Sequence, residues 1–202
     1  CMIEFYTWNG ADGHNVAIML EAIREPYSVY PVDTLNRAEQ PIRFQEISPN
    51  KVPALVDPDG PGGSAIALFG SAPILLYLAE KSGEFLPEST ASHYECLQWL
   101  MWQQSDVAPV LTNLQLALKS DPDQLSTSLE HQVGLLWQAL ANQLSGRRFI
   151  CGEDLTIADF ALYPWVESVS CPSLDPRAFP PIACWLEQLA DISFAQHGLQ
   201  IP

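Results

Sequence analysis

The sequence predicts an α/β half over residues 1–83 followed by an all-α half over residues 90–202. Three observations carry that reading. Through the first ninety residues the hydrophobic period switches repeatedly between two and about 3.6, the signatures of strands and amphipathic helices. After Leu86-Pro87 the strand signal disappears and long helical patterns take over. Within the first half, Asn50-Lys51-Val52-Pro53 sets a proline at the start of a strand, where it leaves an edge open.

Residues 2–8 (MIEFYTW) are aromatic and β-branched enough for a strand, and the polar break Asn9-Gly10-Ala11-Asp12-Gly13 ends it. A helix is expected over residues 14–23, with Val16, Met19, Leu20 and Ile23 on one face and Glu25-Pro26 as its stop. Residues 27–32 read as a second strand, and a short helix is placed around residues 41–45. Residues 52–56 and 65–69 are short apolar runs separated by Asp57-Pro58-Asp59-Gly60-Pro61-Gly62-Gly63, a hairpin with a loose tip. Ser71 is expected as the N-cap of a helix that carries Ile74, Leu75 and Leu78 inward and stops at Ser82-Gly83.

Helical patterns then cover roughly residues 90–119, 124–145, 155–170 and 180–190. Pro109 should kink or split the first, and Thr156-Ile157-Ala158-Asp159 has the form of a capping box. The order β-α-β-(α)-β-β-α followed by helices is a thioredoxin-like domain and then a bundle.

Composition narrows the function. With 9 basic against 24 acidic residues the formal charge is −15, which repels phosphate backbones and anionic lipid surfaces, so neither nucleic acid nor membrane is an expected partner. No stretch has the length of a membrane span and no signal-peptide pattern opens the chain, so a cytoplasmic location is expected. Cys1 precedes Met2 and reads as a residue left by cloning. The cysteines at 1, 96, 151, 171 and 184 form no C-x-x-C pair and are odd in number, so they read as buried or idle thiols. His93 and Cys96 alone have helical ligand spacing, which is too few ligands for a metal.

The chemistry concentrates at Ile47-Ser48-Pro49-Asn50-Lys51-Val52-Pro53-Ala54-Leu55-Val56-Asp57. A cis Val52-Pro53 bond there would let the Val52 backbone pair with an extended peptide-like ligand. About twenty residues on, Leu68-Phe69-Gly70-Ser71-Ala72-Pro73 opens a helix whose N-terminal N–H groups, with the Ser71 hydroxyl, suit a carboxylate.

These blocks closely resemble the glutathione transferases (the GST fold), in particular the bacterial nu-class and Ure2-like branch. The resemblance rests on IEFYTWN…GH, ISPNKVPALVD, LFGSAPILLYLAEKSGEFLP, LQWLMWQ, LTIADFALYPW and PPIACWLEQLA…GL, and it covers nearly the whole chain. It implies glutathione as co-substrate without a metal. In it Val52 pairs with the cysteinyl part, Pro53 is cis, Ser71 takes the γ-glutamyl carboxylate, and Asn50 or Lys51 lies near the glycyl end. It also implies a homodimer.

Three positions depart from the family pattern. Where relatives in this branch read T-W-N-T-P-N-G, this chain has Thr7-Trp8-Asn9-Gly10-Ala11-Asp12-Gly13. The hydroxyl position is Gly10, the second amide is Asp12, and Asn9 remains as the donor to the glutathione sulfur. Tyr6 and Thr7 are donors by type, with strand alternation expected to commit one of them to the core. Asp12 close to a thiol would raise its pKa. Gly70 replaces the acidic residue that holds the ammonium group, and Asp106 is the candidate substitute, reaching across the dimer. Trp99, Met101, Trp102 and Leu111 could line a pocket for an apolar electrophile or disulfide, although core packing is the ordinary use of such residues. The implied function is a transferase-like enzyme that uses glutathione as nucleophile toward an electrophile or as reductant of a small disulfide. The alternative is a catalytically impaired binding protein of the same fold.

Overall fold

The computed structural model describes residues 2–120 and 125–202. Cys1 and residue 124, the expected start of the second long helix, lie outside these. The chain divides into two compact units, one made of Cys1–Glu84 with Ile192–Pro202 and the other of Phe85–Asp191.

In the first unit, β1 (Ile3–Thr7), β2 (Tyr27–Pro31), β3 (Ala54–Asp57) and β4 (Ile66–Phe69) form one sheet in the order β2-β1-β3-β4. β1 runs parallel to β2, and β3 is antiparallel to both β1 and β4. The helices are α1 (Ala11–Ile23), α2 (Ile42–Ile47) and α3 (Ser71–Ser82). α1 ends as expected before Glu25-Pro26, with Arg24 in the left-handed conformation. Phe5, Ile18, Leu20, Leu55, Ile74 and Leu78 are fully buried. A smaller cluster of Tyr6, Val32, Phe44, Ala54 and Val56 pins α2 to the sheet through Phe44.

Residues 192–202, expected to close the all-α half, belong with this unit. The reason is close packing of α9 (Ser193–Gly198) on α1, where a Cβ at Gly198 would stand 2.6 Å from the Ile18 backbone. Only glycine allows that approach.

The second unit begins with α4 (Thr90–Trp102), a π-helical turn at Gln103–Val107, and α5 (Ala108–Ser120). The interruption expected from Pro109 is present as the π-helical turn just before it, a local change of winding within continuous helical backbone. α6 (Thr127–Leu144), α7 (Ile157–Glu167) and α8 (Pro180–Ala190) follow. α7 opens with the expected capping box between Thr156 and Asp159. The buried Asp159 carboxylate also accepts from the Ile150 N–H and the Trp185 indole, both at 2.9 Å. No helix of the described residues is long and apolar enough to cross a membrane.

Candidate functional site

The cradle is built from the segment leaving α2. Ser48 is buried, and its hydroxyl donates to the Lys51 carbonyl at 2.7 Å while accepting the Lys51 N–H at 2.9 Å. Asn50 has φ 67°, a left-handed conformation that asparagine tolerates better than most side chains. Its side chain accepts from Gln40 Nε2 at 2.7 Å and donates to the Thr34 carbonyl at 3.2 Å. The amide of Asn50 thus locks the loop rather than standing ready for a ligand, and of the pair expected at the glycyl end only Lys51 has an exposed side chain.

The Val52-Pro53 bond is cis. Among the described residues no backbone hydrogen bond engages the Val52 N–H or C=O. The Pro53 carbonyl accepts the Gly70 N–H at 2.8 Å, which ties the cradle directly to the start of α3.

At that start the expected N-cap shifts by one residue. Gly70 occupies the cap position with φ 85°, a conformation suited to glycine, and Ser71 is the first residue of the helix. The Ser71 hydroxyl is turned away from its own helix because it donates to Asp12 Oδ1 at 3.0 Å. Asp12 lies in the first turn of α1 and is also within 3.5 Å of Asn15 Nδ2. The departure read as a neighbour of the ligand sulfur is therefore also a partner of the residue expected to hold the ligand carboxylate.

Asn9 is exposed in the bend between β1 and α1. The expectation that one of Tyr6 and Thr7 would turn inward is corrected, since both are buried, at 2% and 0% exposure. Tyr6 donates to Glu4 Oε2 at 2.8 Å, and burial together with that carboxylate pushes its phenol well above the ordinary range, so it is a poor activator of a thiol. Gly10 has φ 163°, extended backbone open to any residue, and a Cβ there would meet nothing within 4 Å.

Asp106 and the apolar set belong to the second unit. Asp106 is exposed in the π-helical turn, with the Ser105 hydroxyl donating to its carboxylate. Leu111 is buried, Trp99 and Trp102 pack edge to face with centroids 5.0 Å apart, and Met101 is 51% exposed.

A four-stranded α/β unit that presents an open cis-proline edge beside a helix N-terminus, in a chain that continues as a helical unit, defines a glutathione-transferase-type protein. The family models agree. That for the glutathione S-transferase N-terminal domain matches residues 13–81, and that for the C-terminal domain matches residues 107–192. The disulfide-bond oxidoreductase YfcG of Escherichia coli is 33% identical over 193 residues, 93% of this chain and 90% of that protein. The disulfide-bond oxidoreductase YghU of the same organism is 28% identical, over 97% of this chain and 73% of that protein. A solved glutathione transferase family member from Pseudomonas fluorescens with two glutathione molecules bound has TM-score 0.89 and 34% identity, covering 100% of this chain and 93% of that one. One from Pseudomonas putida with glutathione disulfide bound has TM-score 0.89 and 31% identity, covering 100% and 92%. The chain belongs to the glutathione transferase superfamily.

Proposed function

We propose that this chain binds glutathione along the Val52-Pro53 edge and uses its thiol to reduce small disulfides. The observation that carries the reading is the 2.8 Å hydrogen bond from the Gly70 N–H to the Pro53 carbonyl, which fixes the open Val52 backbone beside the first turn of α3. An extended peptide can then pair with Val52 while its carboxylate meets the helix N–H groups and Ser71. Lys51 neutralises the glycyl carboxylate, Asn9 donates to the sulfur, and Asp106 of a homodimer partner holds the ammonium group. A glutathione thiolate attacks the disulfide R–S–S–R and expels RS⁻. A second glutathione attacks the mixed disulfide, so two glutathiones become glutathione disulfide and two R–SH leave. The relatives named as disulfide-bond oxidoreductases and the neighbour holding glutathione disulfide favour this over transfer to an apolar electrophile.

The test is turnover of hydroxyethyl disulfide and of an aryl halide electrophile with reduced glutathione. Disulfide reduction that exceeds conjugation and falls about tenfold or more in Ser71→Ala is expected. No glutathione-dependent turnover of either substrate overturns the reading. One observation favours the second reading, a binding protein without turnover: the Asp12 carboxylate already stands on Ser71 at 3.0 Å, where it opposes both a ligand carboxylate and a thiolate. Saturable binding of glutathione with neither reaction would establish it.

A further inference from the structure

Asp12 sets a carboxylate in the first turn of α1, in the loop that also carries Asn9. It is half-buried, within reach of a small solute. Its place is fixed, since the Ser71 hydroxyl donates to Oδ1 at 3.0 Å and Asn15 Nδ2 stands 3.5 Å from the same oxygen. A hydroxyl and an amide orient a carboxylate without cancelling its charge.

Asn15 is fully buried, and its Oδ1 has no hydrogen-bond partner. Buried side-chain oxygens are ordinarily satisfied. Here the amide whose nitrogen faces Asp12 keeps the negative end of its dipole unanswered, and dipole and carboxylate together favour a donor-rich cation. Bound glutathione thiolate carries a net negative charge of its own. Added to Asp12, it exceeds what the starts of α1 and α3 offset, roughly half a positive charge each.

We propose, on the reading that glutathione is the reductant bound along the Val52 edge, that Asp12 selects the disulfide to be reduced. It favours small disulfides with a primary ammonium two carbons from the sulfur, of which cystamine is the simplest, over neutral and carboxylate-bearing ones. Asn9, at the glutathione sulfur, and Asp12 share one loop, so the ammonium comes to the carboxylate as the sulfurs meet. The glutathione thiolate forms a bond to one sulfur of cystamine and expels cysteamine thiolate, which takes a proton from solvent. The mixed disulfide of glutathione and cysteamine stays bound with its ammonium on Asp12. A second glutathione thiolate attacks the glutathione sulfur of that intermediate, expels the other cysteamine, which is protonated likewise, and leaves as glutathione disulfide. The cation also offsets the like charge that Asp12 sets against the thiolate. The carboxylate that hinders glutathione alone thus assists glutathione with this substrate.

The experiment measures, by calorimetry on the full chain, the dissociation constants of two mixed disulfides, glutathione joined to cysteamine and glutathione joined to thioglycolate. The glutathione half is common to both, so the ratio of the constants reports the charge of the other half. About tenfold tighter binding of the cysteamine conjugate is expected, because what attracts one charge repels the other. Asp12→Asn should bring the ratio close to one, with Asp12→Ser as a second neutral variant should the first fail to fold. Asp154→Asn, which removes an exposed charge of the second unit, should leave the ratio as it is. Glutathione-dependent reduction of cystamine and of dithiodiglycolate, each divided by its uncatalysed rate, should follow the same order. Equal affinities in the wild type, or a ratio that survives removal of the Asp12 charge, would overturn the proposal and leave glutathione binding intact. No binding of either conjugate would overturn the glutathione reading and the proposal with it.

Discussion

The Ser71 hydroxyl donates to the Asp12 carboxylate at 3.0 Å, joining the first turn of α3 to the first turn of α1. Both helix starts concentrate N–H groups, and a carboxylate there is stabilised by each. The pairing is sound for the folded chain and adverse for an anionic ligand. A glutathione carboxylate at α3 must share Ser71 with a like charge, and a thiolate near Asn9 is disfavoured by the same group.

Asp12→Asn keeps a side-chain oxygen for the Ser71 hydroxyl and removes the charge. The expected outcome is about tenfold tighter binding of reduced glutathione and a bound thiol whose pKa falls by roughly one unit. Calorimetry reads the first, and the pH dependence of the thiolate ultraviolet absorbance reads the second.

Gly10→Thr restores a hydroxyl to the loop that follows β1. The backbone is extended at this position and a Cβ meets nothing within 4 Å, so the substitution should leave the melting temperature within experimental error. Glutathione-dependent disulfide turnover should rise by up to tenfold through an added hydrogen bond to the sulfur.

Gly70→Glu returns the missing acid to the ammonium contact, at a position where φ is 85°. A non-glycine residue there costs on the order of 1–3 kcal/mol of stability. Tighter glutathione binding together with a lower melting temperature is expected, and the two should separate in denaturant titrations with and without the ligand.

Asp57 is buried at 1% exposure, with Tyr77 donating to it at 2.6 Å and the Lys81 ammonium paired to the same oxygen. Burial alone would push its carboxyl up, but the Lys81, Tyr77 and Asp59 N–H donors hold it below the usual value. The folded pKa lies below the unfolded one, so the group contributes stability that is fully present above about pH 4 and is lost as pH falls through the folded value. Asp57→Asn should destabilise the protein by about 2–4 kcal/mol at neutral pH. The difference from wild type should shrink in acid, as followed by urea unfolding at a series of pH values.

The elements and the cradle were legible in the sequence because their signals are local. Residues 2–8 are aromatic and β-branched enough for a strand, Pro109 interrupts a helical pattern, and the Thr156-to-Asp159 spacing marks a cap. What could not be read there are contacts between distant segments. Nothing near Asp12 announces a partner at Ser71. Likewise the short helix at residues 193–198 carries too few turns for a period to show, and its place on α1 depends on Gly198 fitting over Ile18. Asn50 shows the converse case, a residue of ligand-like chemistry whose amide is spent on Gln40 and Thr34.

The central claim is that the Val52 edge and the start of α3 together receive glutathione. Amide NMR during a titration with reduced glutathione tests it most directly, because the backbone groups themselves report. Saturable shifts at the Val52, Ser71 and Ala72 amides, with a single dissociation constant and little change at Gly198, are the expected result. No saturable shift at these amides, or shifts confined to other parts of the chain, would contradict the account.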